Sequence, residues 1–70
     1  MKVLEKFIQD CLRNCMRLDN RNKEIWLNQA FGAVQFYVIQ NPDSFDEVEK
    51  MWAGYKRNFE FQIWGVTYDL

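Results

Sequence analysis

Residues 25–39, Ile-Trp-Leu-Asn-Gln-Ala-Phe-Gly-Ala-Val-Gln-Phe-Tyr-Val-Ile, carry no charge in a chain of which 27% is charged. The stretch is too apolar to lie wholly on a solvated surface. It is also shorter than the roughly 20 apolar residues that cross a bilayer. In a chain of 70 residues it is expected to form the middle of the fold.

Placed on a helix, the stretch has two apolar sides. Ala33, Trp26, Tyr37, Ala30, Val34, Leu27, Val38 and Phe31 fill one arc of about 160°, wider than the usual core-facing stripe. Ile25, Gly32, Phe36 and Ile39 form a narrow second seam on the opposite side. Asn28 and Gln35 flank one edge of that seam, and Gln29 and Gln40 the other. A three-helix monomer has no use for the seam, so either the C-terminal segment or a second subunit is expected to cover it.

Size sharpens that expectation. Seventy residues make one domain, spanning 1–70, and a domain this small is marginally stable unless something adds burial. Six phenylalanines, three tyrosines and three tryptophans are a large aromatic load for so small a volume. Each ring buries roughly 150–250 Å², so part of the load is expected to face another chain.

The flanking segments read as helices. Over residues 3–18, Leu4, Phe7, Ile8, Cys11, Leu12, Cys15 and Leu18 share one side, and Glu5, Lys6, Gln9, Asp10, Arg13 and Arg17 the other. Asp19, Asn20 and Asn22 are equivalent N-cap candidates for the second helix, about 23–40. Asn41-Pro42 ends that helix, because the residue before proline is pushed away from helical angles. Ser44 and Glu47 have the spacing of a capping box.

A third helix, about 44–64, follows. Phe45, Val48, Trp52, Tyr55 and Phe59 lie on one face, with Met51 beside them. Beyond Phe59 two readings compete. Ile63 and Val66 continue the helical stripe, with Gly65 as the left-handed terminator. Phe59, Phe61 and Ile63 also alternate with Glu60 and Gln62 as in a strand. A lone strand has no partner within the chain, so helix to about Trp64 is preferred. The expected fold is thus all-α, a small three-helix bundle with a short C-terminal extension, expected to be homodimeric.

Candidate chemistry is thin. Cys11 and Cys15 stand four apart on the first helix, but a structural zinc needs four ligands, and the chain has no histidine and no other cysteine. Both lie in the apolar arc, where free cysteine acts as a small hydrophobe. Asp43, Asp46, Glu47 and Glu49 cluster at a helix start, where acids favour the dipole. Ser44 and Thr67 lack a histidine base, and the isolated glycines make no phosphate loop. A non-enzyme without metal or cofactor is expected.

Charge excludes a strong nucleic-acid footprint. The net charge is −1, whereas such binding needs a basic surface that neutralises phosphates. Lys6, Arg13, Arg17 and Arg21 form a weak basic patch, and Lys23 follows. They support only an alternative reading, a dimeric nucleic-acid-associated regulator. A small-molecule or metal sensor is the other alternative, with Phe36, Trp52, Phe61, Trp64 and Tyr68 as groove residues. No apolar run reaches membrane-spanning length, and Glu5, Lys6 and Asp10 interrupt any secretory signal. A cytoplasmic location is expected.

The favoured expectation is a non-catalytic module that binds itself or a partner protein. Its interface residues are expected to be Ile25, Gly32, Phe36, Ile39, Phe61 and Trp64.

Overall fold

The computed structural model describes residues 1–17 and 22–65. They form three α-helices, α1 (Lys2–Cys15), α2 (Lys23–Gln40) and α3 (Phe45–Trp64), with no strand among the described residues. The all-α class expected from periodicity is the class observed. Arg21, Thr67 and Tyr68, the third-helix continuation Val66, the C-terminal extension and two of the three N-cap candidates, Asp19 and Asn20, lie outside the described residues.

The α2 helix runs antiparallel to both neighbours. Its C-terminal residues Tyr37 and Gln40 share a groove with Leu4 and Phe7 near the start of α1. At its other end, Lys23 Nζ donates to the Gln62 carbonyl of α3 at 3.4 Å. The helices α1 and α3 therefore run parallel to each other. A side-chain clasp joins them: Gln9 Nε2 donates to Tyr55 Oη at 2.8 Å, and that hydroxyl donates to Glu5 Oε2 at 2.9 Å. The Gln9 bond alone would lower the Tyr55 pKa, but partial burial and the Glu5 carboxylate raise it above the ordinary phenol value.

Helix ends depart from expectation at two places. First, α1 stops at Cys15 rather than at residue 18, and Leu18 is outside the described residues. Its last turn tightens as Arg17 N–H reaches the Asn14 carbonyl at 3.2 Å, an i→i−3 bond, while Asn14 Nδ2 donates to the Asp10 carbonyl. Secondly, Ser44 makes no capping box. Its backbone (φ −91°, ψ 3°) is outside the extended region that an N-cap uses. Its hydroxyl donates instead to the Asn41 carbonyl at 2.6 Å, closing a 3-10 turn over Pro42–Ser44. Asn22 does precede α2, but without a side-chain cap bond.

The other two ends follow the sequence. Asn41 adopts φ −135°, ψ 71° before the proline. Gly65 ends α3 in the left-handed region (φ 68°, ψ 20°), its N–H bonding the Phe61 carbonyl at 2.8 Å. The helical alternative for residues 59–64 is thus the one adopted.

The core is built mainly by the outer helices. Leu4, Ile8, Cys11 and Cys15 come from α1, and Val48, Trp52 and Phe59 from α3; α2 adds only Ala30 and Val34. Trp52 lies between Phe31 and Phe59, with ring centroids 6.0 Å from each. The helix that holds the charge-free stretch thus supplies only two small aliphatic side chains to the core. Phe7, Phe31 and Phe45, expected on core faces, are between 41% and 52% exposed. They sit at the margins of their stripes, and in a bundle 16 Å across its thin dimension the described residues form no second layer over them.

Cys11 and Cys15 are buried free thiols. Desolvation raises both pKa values; Asp10 adds to the rise at Cys11, and Lys23 opposes it at Cys15. The net rise at each keeps the thiols protonated and unreactive. A thiol-specific reagent at pH 8 is expected to label neither in the folded chain, and both at once in denaturant. Immediate labelling of the native protein would contradict their burial.

Candidate interaction surface

Among the described residues, nothing covers the outer seam of α2. Ile25 is 48% exposed, Phe36 66% and Ile39 72%. Gly32, midway along the seam, is exposed as well. Each of these residues lies close to diametrically opposite Ala30 and Val34 at about 100° per residue, so burying the core leaves them outward.

Two apolar grooves adjoin the C-terminal half of this seam. One, of about 540 Å³, lies between α1 and α2, with Val3 and Phe7 facing Phe36 and Tyr37. The other, of about 480 Å³, lies between α2 and α3, with Phe31, Ile39 and Phe45 at its walls and Val34, Val48 and Trp52 among its lining residues. Phe36 leans toward the first groove and Ile39 toward the second. The exposed apolar surface is therefore a band running over α2 at the end of the bundle that holds the start of α1 and the start of α3.

The expected interface residues divide between two ends. Phe36 and Ile39 belong to this band. Ile25 and Trp64 meet at the opposite end, in a recess of about 420 Å³ that Lys23, Asn28 and Ile63 also line. Phe61 joins neither. It is half exposed and falls about 200° around α3 from Phe59, on the far side of that helix. Sequence reasoning missed Val3, Phe7, Phe31 and Phe45. Their signal was available: each is a bulky apolar residue at the edge of a stripe, in a chain too short to cover every edge.

The exposed faces differ sharply in charge. Between Ile25 and Gln40, the exposed residues of α2 are apolar residues, glycine or the amides Asn28, Gln29, Gln35 and Gln40. The exposed face of α1 carries Lys2, Lys6 and Arg13, and that of α3 carries Asp46, Glu47, Glu49, Lys50, Lys56 and Arg57. Loss of charge together with exposed aromatics is the compositional mark of the centre of a protein interface.

The remaining candidates are less developed. Lys6, Arg13 and Arg17 are exposed, and Arg13 is already paired with Asp10 at 3.3 Å. No group of three or more His, Cys, Asp or Glu side chains is placed to hold a metal among the described residues. No helix among them is long and apolar enough to cross a membrane. Phe36, Trp52, Phe61 and Trp64, considered together as a ligand groove, do not converge: they fall at separate places around the bundle. Compared with protein-family models, curated proteins and solved structures, the chain matches none.

Proposed function

We propose that this chain is a non-catalytic helical module that works by burying the outer face of α2, and the grooves beside it, against another polypeptide, in the first place a second copy of itself. The observation that carries this reading is the confinement of charge loss to one exposed face. A solvated helix normally bears charge on its outer side, as α1 and α3 do here. An 18-residue helix whose outer side has Phe36 and Ile39 exposed and only amides around them is suited to desolvation. Neutral amides at the rim can exchange hydrogen bonds with a partner without the cost of burying an ion.

Light scattering coupled to size exclusion, at several concentrations, tests the reading. The expected particle has twice the 8.5 kDa of the chain at the higher loadings. Phe36→Asp is expected to return it to one chain mass with its helical circular dichroism intact, because the side chain has no role in the core. A folded protein that stays monomeric at every concentration would remove self-association as its mode of action.

A further inference from the structure

We infer that Cys11 and Cys15 make the folding of α1 redox-sensitive: a disulfide between them and the last turn of the helix exclude one another. The inference does not depend on the self-association reading, because it concerns the core rather than the outer face of α2.

Helix geometry carries the first half of the argument. Cys11 and Cys15 stand four residues apart on the buried side of α1. A rise of 1.5 Å per residue sets their Cα atoms roughly 6 Å apart. Their Cβ atoms are about as far from each other, since Cα–Cβ bonds on one helix face point the same way. A disulfide needs its Cβ atoms at about 3.5–4.5 Å. That gap cannot close while the residues between them stay helical. The turn is held on both sides: Met16 N–H bonds the Leu12 carbonyl at 3.0 Å, and Asn14 Nδ2 donates to the Asp10 carbonyl at 2.9 Å. Drawing the two sulfurs together breaks this turn.

Burial carries the second half. Cys11 is 2% exposed and Cys15 0%, and they are two of the four residues that α1 buries. Thiol–disulfide exchange needs a thiolate that the oxidant can reach. The folded chain offers neither the charge nor the access. It also has the thiols in its core, so a chain that has joined them can no longer dock α1 as the reduced chain does.

The unfolded chain lacks both restraints. Two cysteines so close in sequence present each other at a high effective concentration. With oxidised glutathione, one protein thiolate attacks a glutathione sulfur and releases one glutathione thiolate. The other protein thiolate then attacks the protein sulfur of the mixed disulfide and releases the second. Two protein thiols are oxidised, one glutathione disulfide is reduced, and the two protons pass to the released thiolates. Oxidation therefore follows opening of α1 and then holds it open, until a reductant returns the thiols.

The test uses the unsubstituted chain. With oxidised glutathione at pH 8 in urea, it is expected to give a monomer two hydrogens lighter than the reduced chain by mass spectrometry. Without urea the same product is expected to form slower by a factor on the order of a thousand or more, since a stable domain is open only a fraction of about 10⁻³ or less of the time. After urea is removed from the oxidised monomer, its helical circular dichroism is expected to stay below that of the reduced chain taken through the same cycle. The deficit is expected to be at least the contribution of the 14-residue α1, and reductant is expected to restore it. Oxidation of the folded chain as fast as in urea would overturn the protection. Failure of the internal disulfide to form in urea, or an oxidised chain that regains the full helical signal, or a deficit that reductant does not reverse, would overturn the exclusion.

Discussion

Val34→Asp is expected to unfold the chain at neutral pH. Val34 is 7% exposed and lies against Val48 and Trp52 in the floor of the groove between α2 and α3. The cation that lines the groove, Lys56, is solvent-exposed, and no buried polar side chain occurs among the described core residues to share the carboxylate's burden. Burying an unpaired charge costs several kcal/mol. A domain of this size has roughly 4–10 kcal/mol in total, at 0.05–0.15 kcal/mol per residue. The far-UV signal of the three helices should therefore collapse, and the thiols of Cys11 and Cys15 should become reactive. Phe36→Asp, two residues along the same helix, should do neither. A Val34→Asp protein that keeps native helix content would show that α2 does not hold its observed rotation about its own axis.

Phe59→Ala is expected to cost about 3–5 kcal/mol, the range for deleting a buried aromatic ring. Phe59 is fully buried, and its ring lies 6.0 Å from that of Trp52. Removing it opens a void under the C-terminal half of α3. The urea midpoint should fall, and native tryptophan fluorescence should change, because Trp52 loses a ring neighbour. A loss under about 1 kcal/mol would mean that the cavity is filled by rearrangement, which well-packed interiors allow only in part.

The helical stripes of α1 and α3 were legible because each alternates with charge. Leu4, Ile8, Cys11 and Cys15 on one helix, and Val48, Trp52 and Phe59 on the other, stand at helical spacing between charged positions, and all are buried. Gly65 and Asn41-Pro42 were legible for local reasons, since few residues tolerate the backbone angles found there. Ser44 was misread because the capping-box spacing says nothing about the preceding turn. The hydroxyl can serve one acceptor geometry at a time, and the 3-10 turn claimed it.

The charge-free stretch is the instructive case. Neutrality suggested burial, yet Ala30 and Val34 are its only buried members and Phe31 is 44% exposed. Composition records that a residue avoids charge. It does not record whether the water is displaced by the same chain or by another. The outward seam of Ile25, Gly32, Phe36 and Ile39 was visible on the wheel because periodicity encodes direction around a helix. The grouping with Phe61 and Trp64 was not reliable, because periodicity does not encode which end of a neighbouring helix lies alongside.

The clasp between Tyr55 and Glu5 has a kinetic consequence. Its ends are 50 residues apart in a chain of 70, whereas each pair of consecutive helices meets across a short connection. Closing so long a loop before any helix has docked carries an entropy cost that grows with loop length, with little contact to offset it. The phenol can reach the carboxylate cheaply only after both turns have brought α1 and α3 to the same side of α2. The bond therefore marks the completion of folding rather than its start. Weakening it should speed unfolding and leave the folding rate nearly unchanged.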